Sequence, residues 1–389
     1  MQLESFIILM KRVCDYKLCT GCGLCAVECP KKSIKMVIHG RLGHVYPVID
    51  HQNCIDCKIC QTKCPALNRP NKERAIKAYA AWSKDEVDYK TSSSGGAASV
   101  FTNYVISNGG VVYGCAMLPG IQVHHIRVDN INDARKLKGS KYVQSNIVDI
   151  IPQIKEDVRT GRQVLFIGTP CQVAAIRSLY KLQPPNLLLV DLVCHGVPSQ
   201  KLLQNHIKDV ASSSYGTISF REGNEYLLVV RDEKAGEVYR KTLFHPRYRE
   251  WYLNTFFDGY ICRDSCYRCN YACPERISDI TIGDFWGLGT QISAAEIPPH
   301  PNGCSLILPI SDRGMQFVTS VSAMLNLYER NVDEAVEGND QLKKPSVLGR
   351  RKKLFKLFFP VFGRIAYYVV NIDKIVRYQV YLIKMSLKK

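Results

Sequence analysis

Residues 19–30 read Cys-Thr-Gly-Cys-Gly-Leu-Cys-Ala-Val-Glu-Cys-Pro, and the same spacing of cysteines returns 35 positions later. Each run has the form C-x2-C-x2-C-x3-C-P, the ligand pattern of a domain that holds two 4Fe–4S clusters. In such domains the fourth cysteine of each run binds the other cluster. The predicted ligand sets are therefore Cys19, Cys22, Cys25 and Cys64 for the first cluster, and Cys54, Cys57, Cys60 and Cys29 for the second.

Zinc and disulfides are the two other uses of closely spaced cysteines. C-x2-C pairs bind zinc, but a zinc site needs two pairs rather than two runs of four that each end in a proline. A disulfide framework is not favoured, because Phe6–Met10 is only a short apolar stretch preceded by Glu4 and does not form a secretory signal. Without export the thiols stay reduced, so we expect a cytoplasmic protein with metal-binding cysteines.

The net charge of +17 on 389 residues is distributed unevenly. Residues 343–389 contain thirteen Lys and Arg against one acidic residue, so the other 342 residues carry only about +5. This argues against a general nucleic-acid-binding surface. The tail at 346–389 mixes cations with Phe, Tyr and Leu, which is compatible with a basic amphipathic helix on an anionic membrane surface. The alternative is a basic helix packed against the protein's own surface or a partner subunit.

Two further domains precede that tail. Residues 1–74 hold the cysteine repeat and are expected to form an α+β ferredoxin-like domain. From residue 75 onward strand-like and helix-like segments alternate, which predicts an α/β core over residues 75–345 with a mostly parallel sheet. Residues 217–239 differ and predict an antiparallel insertion. Strands are predicted at 78–82, 111–116, 164–167 and 187–193. Helices are predicted from the opening segment 91–96 to about 107, from 172 to about 182 and at 199–210.

Cys171 and Cys194 occupy matching places, because each follows an apolar strand and precedes a helix. Loops at the carboxyl ends of parallel strands gather at one edge of a sheet, so these two cysteines could meet. The N-terminus of a helix also stabilises a thiolate. Two inert buried cysteines are the alternative interpretation.

Four more cysteines lie within 12 residues, at Cys262, Cys266, Cys269 and Cys273. We expect a third cluster, held in one of two ways. The ligands are either Cys171, Cys194, Cys266 and Cys269 jointly or the four local cysteines, and zinc is the alternative metal.

The remaining cysteines and one histidine carry weaker signals. Cys14, Cys115 and Cys304 have no partners in the sequence pattern and are interpreted as structural or incidental. His195 follows Cys194 and could donate a hydrogen bond to a bound cofactor, or serve as a capping or core histidine.

Five motifs then occur in order along the chain. They are Thr-Ser-Ser-Ser-Gly-Gly at 91–96, Lys-Gly-Ser-Lys-Tyr-Val-Gln-Ser at 138–145, Gly-Thr-Pro-Cys-Gln at 168–172, Cys-His-Gly-Val-Pro at 194–198, and Cys266-x2-Cys269 followed by Asp-Ile-Thr-Ile-Gly-Asp-Phe-Trp-Gly at 279–287. In this order, over about residues 75–320, the sequence resembles the coenzyme F420 hydrogenase/dehydrogenase beta-subunit family with a ferredoxin domain fused in front. The two parts of the family pattern meet near residue 160.

The resemblance implies FAD in the α/β core and one core 4Fe–4S cluster. Carried over by position, the cluster ligands would be Cys171, Cys194, Cys266 and Cys269. This choice agrees with the matched strand-end loops, and it leaves Cys262 and Cys273 as extra cysteines. The chain departs from the family pattern there, which keeps the local set open.

Two loops are expected to hold the flavin. A Ser/Gly loop at a helix N-terminus suits a pyrophosphate, although such a loop is also an ordinary helix start. The second loop adds cations and hydroxyls, with a tyrosine able to stack on a ring. The predicted flavin-binding residues are Ser93, Ser94, Gly95, Gly96, Lys138, Gly139, Ser140, Lys141, Tyr142, Gln144 and Ser145. No G-x-G-x-x-G occurs, so nicotinamide binding is not expected.

These features together predict an iron–sulfur flavoprotein oxidoreductase with three 4Fe–4S clusters and FAD. It would pass electrons between the ferredoxin-type clusters and the flavin, to reduce or oxidise an organic substrate or a coenzyme F420-like carrier. Its redox partner would be a ferredoxin or a hydrogenase or dehydrogenase subunit. The basic tail adds the hypothesis of a place at the inner face of the membrane and of a lipid-linked sugar substrate in envelope polysaccharide synthesis. The alternatives are an electron-transfer subunit with no substrate of its own and a zinc-stabilised interaction protein.

Overall fold

The computed structural model describes residues 12–211, 216–243 and 250–386. The apolar stretch Phe6–Met10 and the last three residues of the tail lie outside the described residues. The strands are β1 (Ile34–His39), β2 (His44–Ile49), β3 (Ala78–Ser83), β4 (Val111–Leu118), β5 (Gln122–Val128), β6 (Val164–Gly168), β7 (Leu187–Leu192), β8 (Thr217–Glu222), β9 (Glu225–Arg231), β10 (Glu237–Thr242), β11 (Ile280–Asp284), β12 (Ser305–Pro309) and β13 (Leu325–Arg330).

The helices connect and flank these strands. They are α1 (Leu24–Val27), α2 (Ile59–Thr62), α3 (Glu86–Lys90), α4 (Ala97–Ser107), α5 (Ile131–Ala134), α6 (Ile151–Arg159), α7 (Pro170–Arg177), α8 (Gln200–Ala211), α9 (Trp251–Phe257), α10 (Asp312–Val321), α11 (Val332–Gly338), α12 (Arg350–Phe362), α13 (Ile365–Val370) and α14 (Ile372–Ser386).

The ferredoxin unit is built from two matching loops around the β1–β2 hairpin. In each cysteine run, the residues on either side of the second cysteine adopt the left-handed conformation. Gly21 and Gly23 have φ values of 68° and 76°, and Asp56 and Lys58 have values of 53° and 59°. Glycine takes this conformation without strain, whereas an aspartate and a lysine do so only where the surroundings require it. The same turn is therefore imposed on both runs, as two equivalent cluster loops need.

The main sheet has eight strands in the order β13-β3-β12-β11-β7-β6-β4-β5. The four neighbours β11, β7, β6 and β4 are parallel to one another. Antiparallel pairs flank them on both sides, and five of the eight strands run in the same direction. The sheet is thus mostly parallel, as the alternating pattern predicted, with antiparallel edges that the pattern did not indicate.

The predicted elements can be compared one by one with the structure. Each of the four predicted strands coincides within two residues with β3, β4, β6 or β7. Strands β8, β9 and β10 form the separate antiparallel sheet expected near 217–239. Helix α7 ends at Arg177 rather than near 182. The adjacent prolines at 184 and 185 disfavour helical backbone in the segment that leads into β7.

The ferredoxin unit shares a hydrophobic core with the sheet. Leu24 of α1 is fully buried in one apolar cluster with Ile147, Ile151 and Phe166. A salt bridge of 3.0 Å between Lys155 and Glu28 lies at the same boundary. The ferredoxin unit therefore packs directly against the core.

The tail forms three helices, α12, α13 and α14, instead of the single helix expected. Gly363 has a φ of 55°, which ends α12. Phe355 and Phe359 are buried and pack near Tyr260 and Trp251 of the core. The tail therefore packs on the protein's own surface, and none of the described helices is long and apolar enough to cross a membrane.

Gly314, in the first turn of α10, provides a test of the packing between this helix and the sheet. A Cβ at this position would lie 2.0 Å from the backbone carbonyl oxygen of Asp279, which cannot move aside as a side chain can. We expect Gly314→Ala to destabilise the protein by about 1–3 kcal/mol through overpacking. This would outweigh the gain of about 1 kcal/mol that alanine gives a helix.

The measurement is the apparent urea midpoint by circular dichroism, under anaerobic conditions. Gly349→Ala is the control, since a Cβ there meets nothing within 4 Å, and it should cost less than about 1 kcal/mol. A higher midpoint for Gly314→Ala would contradict the close approach of α10 to Asp279.

Candidate metal centres

The first predicted ligand set lines a single cavity in the ferredoxin unit. Its four members come from α1, from the loop before it and from the end of the second run: Cys19, Cys22, Cys25 and Cys64. Backbone N–H groups of Ala66 and Leu67 hydrogen-bond the Cys64 sulfur. Such hydrogen bonds favour a thiolate, the form that binds iron.

Cys14 also lines this cavity, although the sequence pattern gave it no partner. Its thiol hydrogen-bonds Cys19 and Cys64, which lowers their pKa values to about 6 and about 7. Cys14 therefore has thiol neighbours in the fold, which agrees with the structural part of its interpretation as structural or incidental. The repeat carries no signal for it, because Cys14 stands outside both runs.

The second predicted ligand set lines a separate cavity of about 410 Å³. Cys29 reaches it from the first run, and Cys54, Cys57 and Cys60 surround it. The structure thus brings together the sets expected from the exchange of the fourth cysteine between the runs. Cys57 is exposed, so this site faces solvent.

The third site lies at the carboxyl edge of the parallel strands. Cys171 stands in the first turn of α7 after β6, whereas Cys194 lies in the loop after β7, six residues before α8 begins. Both line one cavity with Cys266 and Cys269, which belong to the segment before β11. The two strand-end loops therefore meet as their matched positions predicted.

Burial dominates the chemistry of the third site. It raises the pKa of Cys171 to about 12 and that of Cys194 well above its ordinary value. Backbone N–H groups of Gly196 and Val197 oppose this by hydrogen-bonding Cys194 and Cys266. Buried thiols supplied with N–H donors fit iron ligands, which must lose their protons when the metal binds.

Cys262 and Cys273 do not line this cavity. The Cys262 sulfur is buried behind Gly196, 2.8 Å from the place where a Cβ would stand on that glycine. The Cys273 sulfur lies 3.2 Å from the ammonium nitrogen of Lys72. The arrangement therefore supports the joint set of ligands over the local four.

The donor spacing bears on the choice between zinc and iron–sulfur clusters. In the described ranges, no three Cys, His, Asp or Glu side chains are arranged to hold one metal ion. In a 4Fe–4S cluster each cysteine binds a different iron, so the sulfurs surround a larger group. Thiols spread around a cavity fit that geometry.

The first and third sites are neighbours. Thr20, Pro65 and Ala66 line both cavities. The Tyr271 hydroxyl, from the third site, lies 3.4 Å from the Pro65 carbonyl oxygen. A single layer of residues therefore separates a ferredoxin site from the core site.

His195 lines the third cavity, but its ring nitrogens have protein partners. Nε2 lies 2.8 Å from the Phe257 carbonyl oxygen and Nδ1 lies 3.0 Å from the Gln341 amide nitrogen. Burial lowers the pKa of the imidazole. It is a neutral, fixed core histidine, and the alternative of a hydrogen bond to a cofactor is not favoured.

The two predicted flavin loops do come together. The backbone N–H of Ser140 donates to Ser93 Oγ at 2.9 Å, and Lys138 Nζ donates to Thr91 Oγ1 at 2.7 Å. Ser94 Oγ is buried without a hydrogen-bond partner, beside the N-terminus of α4. A phosphate oxygen would satisfy such an orphaned hydroxyl, so this part of the site fits a pyrophosphate.

Four other residues of the second loop make contacts within the protein. Lys141 Nζ is buried against the carbonyl oxygens of residues 136–138. Tyr142 stacks on Phe256 with centroids 5.2 Å apart. Gln144 donates to the Thr20 carbonyl oxygen at 2.8 Å, and Ser145 accepts from Gln172 at 2.8 Å. These four residues act here in packing, and Gln144 joins the core to the ferredoxin unit.

Comparison with known proteins agrees with the cysteine patterns. Residues 161–335 match the family described as the C terminus of the coenzyme F420 hydrogenase/dehydrogenase beta subunit. Residues 18–68 match the 4Fe-4S dicluster domain. Curated proteins gave no match.

Among solved structures, a chain of the F420-reducing NiFe hydrogenase complex from Methanosarcina barkeri is similar to this chain. The two are 19% identical with a TM-score of 0.46, and the match covers 69% of this chain and 90% of that chain. Residues 161–335 thus carry the C-terminal part of a coenzyme F420 hydrogenase/dehydrogenase beta subunit and residues 18–68 a 4Fe–4S dicluster domain, so the chain is similar to a beta subunit of this kind with an N-terminal 4Fe–4S domain.

Proposed function

We propose that this protein is an iron–sulfur flavoprotein oxidoreductase with three 4Fe–4S clusters. The observation that carries the proposal is the shared wall of Thr20, Pro65 and Ala66 between a ferredoxin site and the core site. Two four-cysteine sites placed on either side of one layer of residues suit electron transfer between them. A protein that used its metal only for stability would have no need of this adjacency.

The residues of the chain have distinct roles in this proposal. When bound, the clusters would supply single-electron carriers, and the flavin would couple them to two-electron chemistry on an organic substrate or a coenzyme F420-like carrier. Cys171, Cys194, Cys266 and Cys269 would hold the core cluster. Ser93, Ser94, Gly96 and Ser140 would hold the flavin pyrophosphate.

The solvent-facing end of the array is the second ferredoxin site. Cys57 is exposed there and Ile55 beside it is 58% exposed. An apolar side chain next to an exposed ligand suits a brief encounter with a redox protein. We place the partner, a ferredoxin or a hydrogenase or dehydrogenase subunit, at this face.

An electron-transfer subunit without flavin or substrate is the second candidate. Lys141 and Tyr142 make protein contacts instead of facing a flavin, which leaves only two short loops of the expected flavin site. This observation favours the electron-transfer subunit. Cofactor analysis separates the two candidates.

We expect the anaerobically purified protein to contain about twelve iron atoms and one FAD per chain. The measurement is iron, sulfide, zinc and flavin analysis with a visible spectrum. Twelve iron atoms without flavin would favour the electron-transfer subunit. Stoichiometric zinc and no iron would overturn both candidates.

The ligands of the core cluster can be tested by substitution. Cys171→Ser and Cys194→Ser should each remove about four of the twelve iron atoms, since each takes away one ligand from one cluster. Cys262→Ser and Cys273→Ser are matched controls that should retain all the iron. Loss of iron in the controls but not in the first pair would assign the cluster to the local cysteines instead.

The tail carries a second apolar surface besides the one packed on the core. Leu354, Leu357 and Val361 lie on one side of α12 at three- and four-residue spacing and are 39%, 67% and 71% exposed. Ile372 and Val376 on α14 are 64% and 55% exposed. Cations surround these residues along the whole tail. We propose that this surface lies on an anionic membrane, near a lipid-linked substrate such as those of envelope polysaccharide synthesis.

The double variant Leu357→Glu/Val361→Glu tests this proposal in a flotation assay with vesicles of anionic phospholipid. Wild type should float with these vesicles and remain unbound with neutral ones, because each Lys or Arg near an anionic surface contributes about 1 kcal/mol. The double variant should stay unbound.

The control for this assay is Leu182→Glu, which changes an 87% exposed leucine far from the tail in sequence and should float like wild type. Equal flotation of the double variant and wild type would contradict the membrane surface. Because Phe355 and Phe359 anchor the tail, point substitutions are preferable to its deletion.

A further inference from the structure

Arg263 is the largest fully buried side chain in the described part of the protein. It lies between the ferredoxin unit and the core, and its partners there are uncharged groups and one cysteine. Nε donates to the Cys19 carbonyl oxygen at 2.7 Å, Nη1 to Gln144 Oε1 at 3.2 Å, and Nη2 to the Val45 carbonyl oxygen. The guanidinium also lies 4.2 Å from the centroid of the Tyr46 ring.

A buried cation without a carboxylate partner is costly, and carbonyl oxygens compensate for it only in part. A group that can be anionic, the Cys19 sulfur, lies 3.9 Å from Nη2. Cys19 is a predicted ligand of the first cluster. Among the described residues no carboxylate forms a salt bridge with Arg263, so its charge faces the place where the negative charge of that cluster would be.

The first cluster loop is shaped to admit the guanidinium. A Cβ on Gly21 would lie 2.7 Å from Cζ of Arg263, so any side chain at that position would collide with it. Gly21 also has a positive φ of 68°. Glycine has no Cβ and tolerates a positive φ, so Gly21 allows the loop to pack directly against the guanidinium of Arg263.

Arg263 is joined to the core site through its backbone. Its N–H donates to the Val197 carbonyl oxygen at 3.0 Å, and its own carbonyl oxygen accepts from the Cys266 N–H at 3.0 Å. One residue thus contacts a ligand of the first cluster with its side chain and a ligand of the core cluster with its main chain.

We propose that Arg263 raises the reduction potential of the first ferredoxin cluster and fixes the ferredoxin unit at the core site. The inference rests on the proposed function, because it requires a cluster at Cys19, Cys22, Cys25 and Cys64. Reduction adds one negative charge to a cluster, and a nearby cation in a water-poor interior stabilises that charge. Arg263 would thereby favour electron occupancy at the ferredoxin site adjacent to the core.

The test compares three variants of the full-length protein, purified anaerobically, by redox titration monitored with electron paramagnetic resonance. Arg263→Gln removes the charge and keeps hydrogen-bonding capacity. Arg263→Lys keeps the charge without the planar fork. Arg74→Gln is the matched control, since its side chain is 61% exposed and pairs with Asp333 at the surface.

In Arg263→Gln we expect one of the three one-electron transitions to move to lower potential while the other two stay in place. Arg263→Lys should move the same transition by less, and Arg74→Gln should move none. If Arg263→Gln holds all its iron and no transition moves, or if the lysine variant shifts as far as the glutamine variant, the charge effect is absent and the inference is overturned.

Iron content covers the case in which a variant assembles poorly. Loss of about four iron atoms in Arg263→Gln but not in Arg263→Lys would support the inference, because the positive charge is then needed to hold the cluster. The same loss of iron in both variants would mean that Arg263 acts only through packing, and the inference would be overturned. A wild-type protein without iron in the ferredoxin unit would instead refute the proposed function itself.

Discussion

Thiols that bind iron must be gathered into a protein interior, where burial opposes their ionisation and their negative charges repel one another. The rest of the structure follows from how the chain meets this constraint. In the core site, backbone N–H groups of the loop after β7 hydrogen-bond cysteine sulfurs, from Gly196 to Cys194 and from Val197 to Cys266. In the two ferredoxin loops, left-handed turns on either side of the second cysteine let the chain fold around the cavity. Arg263 adds a full positive charge where the ferredoxin unit meets the core. The sheet places these donors, because its parallel strands deliver two cysteine loops to the same edge.

The ferredoxin sites could be predicted from the sequence because their ligands are local. The spacing of each run determines which three thiols share a loop, and the exchange of the fourth cysteine follows from the repeat. For the core site, the residues alone predicted only two of the four ligands. The equivalence of Cys171 and Cys194 follows from apolar strands and helix starts, but the sequence left their partners open between the joint set and the local four. That choice depends on where the segment around Cys266 crosses the sheet edge, and no local periodicity reports such a crossing.

Other features could not be predicted because they arise from contacts between distant segments. Cys14 gains its neighbours when the two cysteine runs fold against each other. Lys141 is an ordinary loop lysine in the sequence, and only the folded turn directs its ammonium group toward the carbonyl oxygens of residues 136–138. His195 is committed to Phe257 and Gln341, which are 62 and 146 residues away. In each case the side chain's chemistry was evident, and its environment was set by tertiary structure.

The seating of the ferredoxin unit carries a final consequence for electron transfer. Leu24 is buried in the core, Gln144 bonds the Thr20 carbonyl oxygen, and Arg263 bonds the Cys19 carbonyl oxygen. Three attachments within six residues hold the first cluster loop, and two of them are joined by the hydrogen bond from Arg263 to Gln144. A loop held in this way does not need to swing between a donor and an acceptor, because its distance from the core site is fixed by packing. Under the proposed function, the mobile step would then be the encounter with an external partner at the exposed second site, and the path from there to the core would be set by packing.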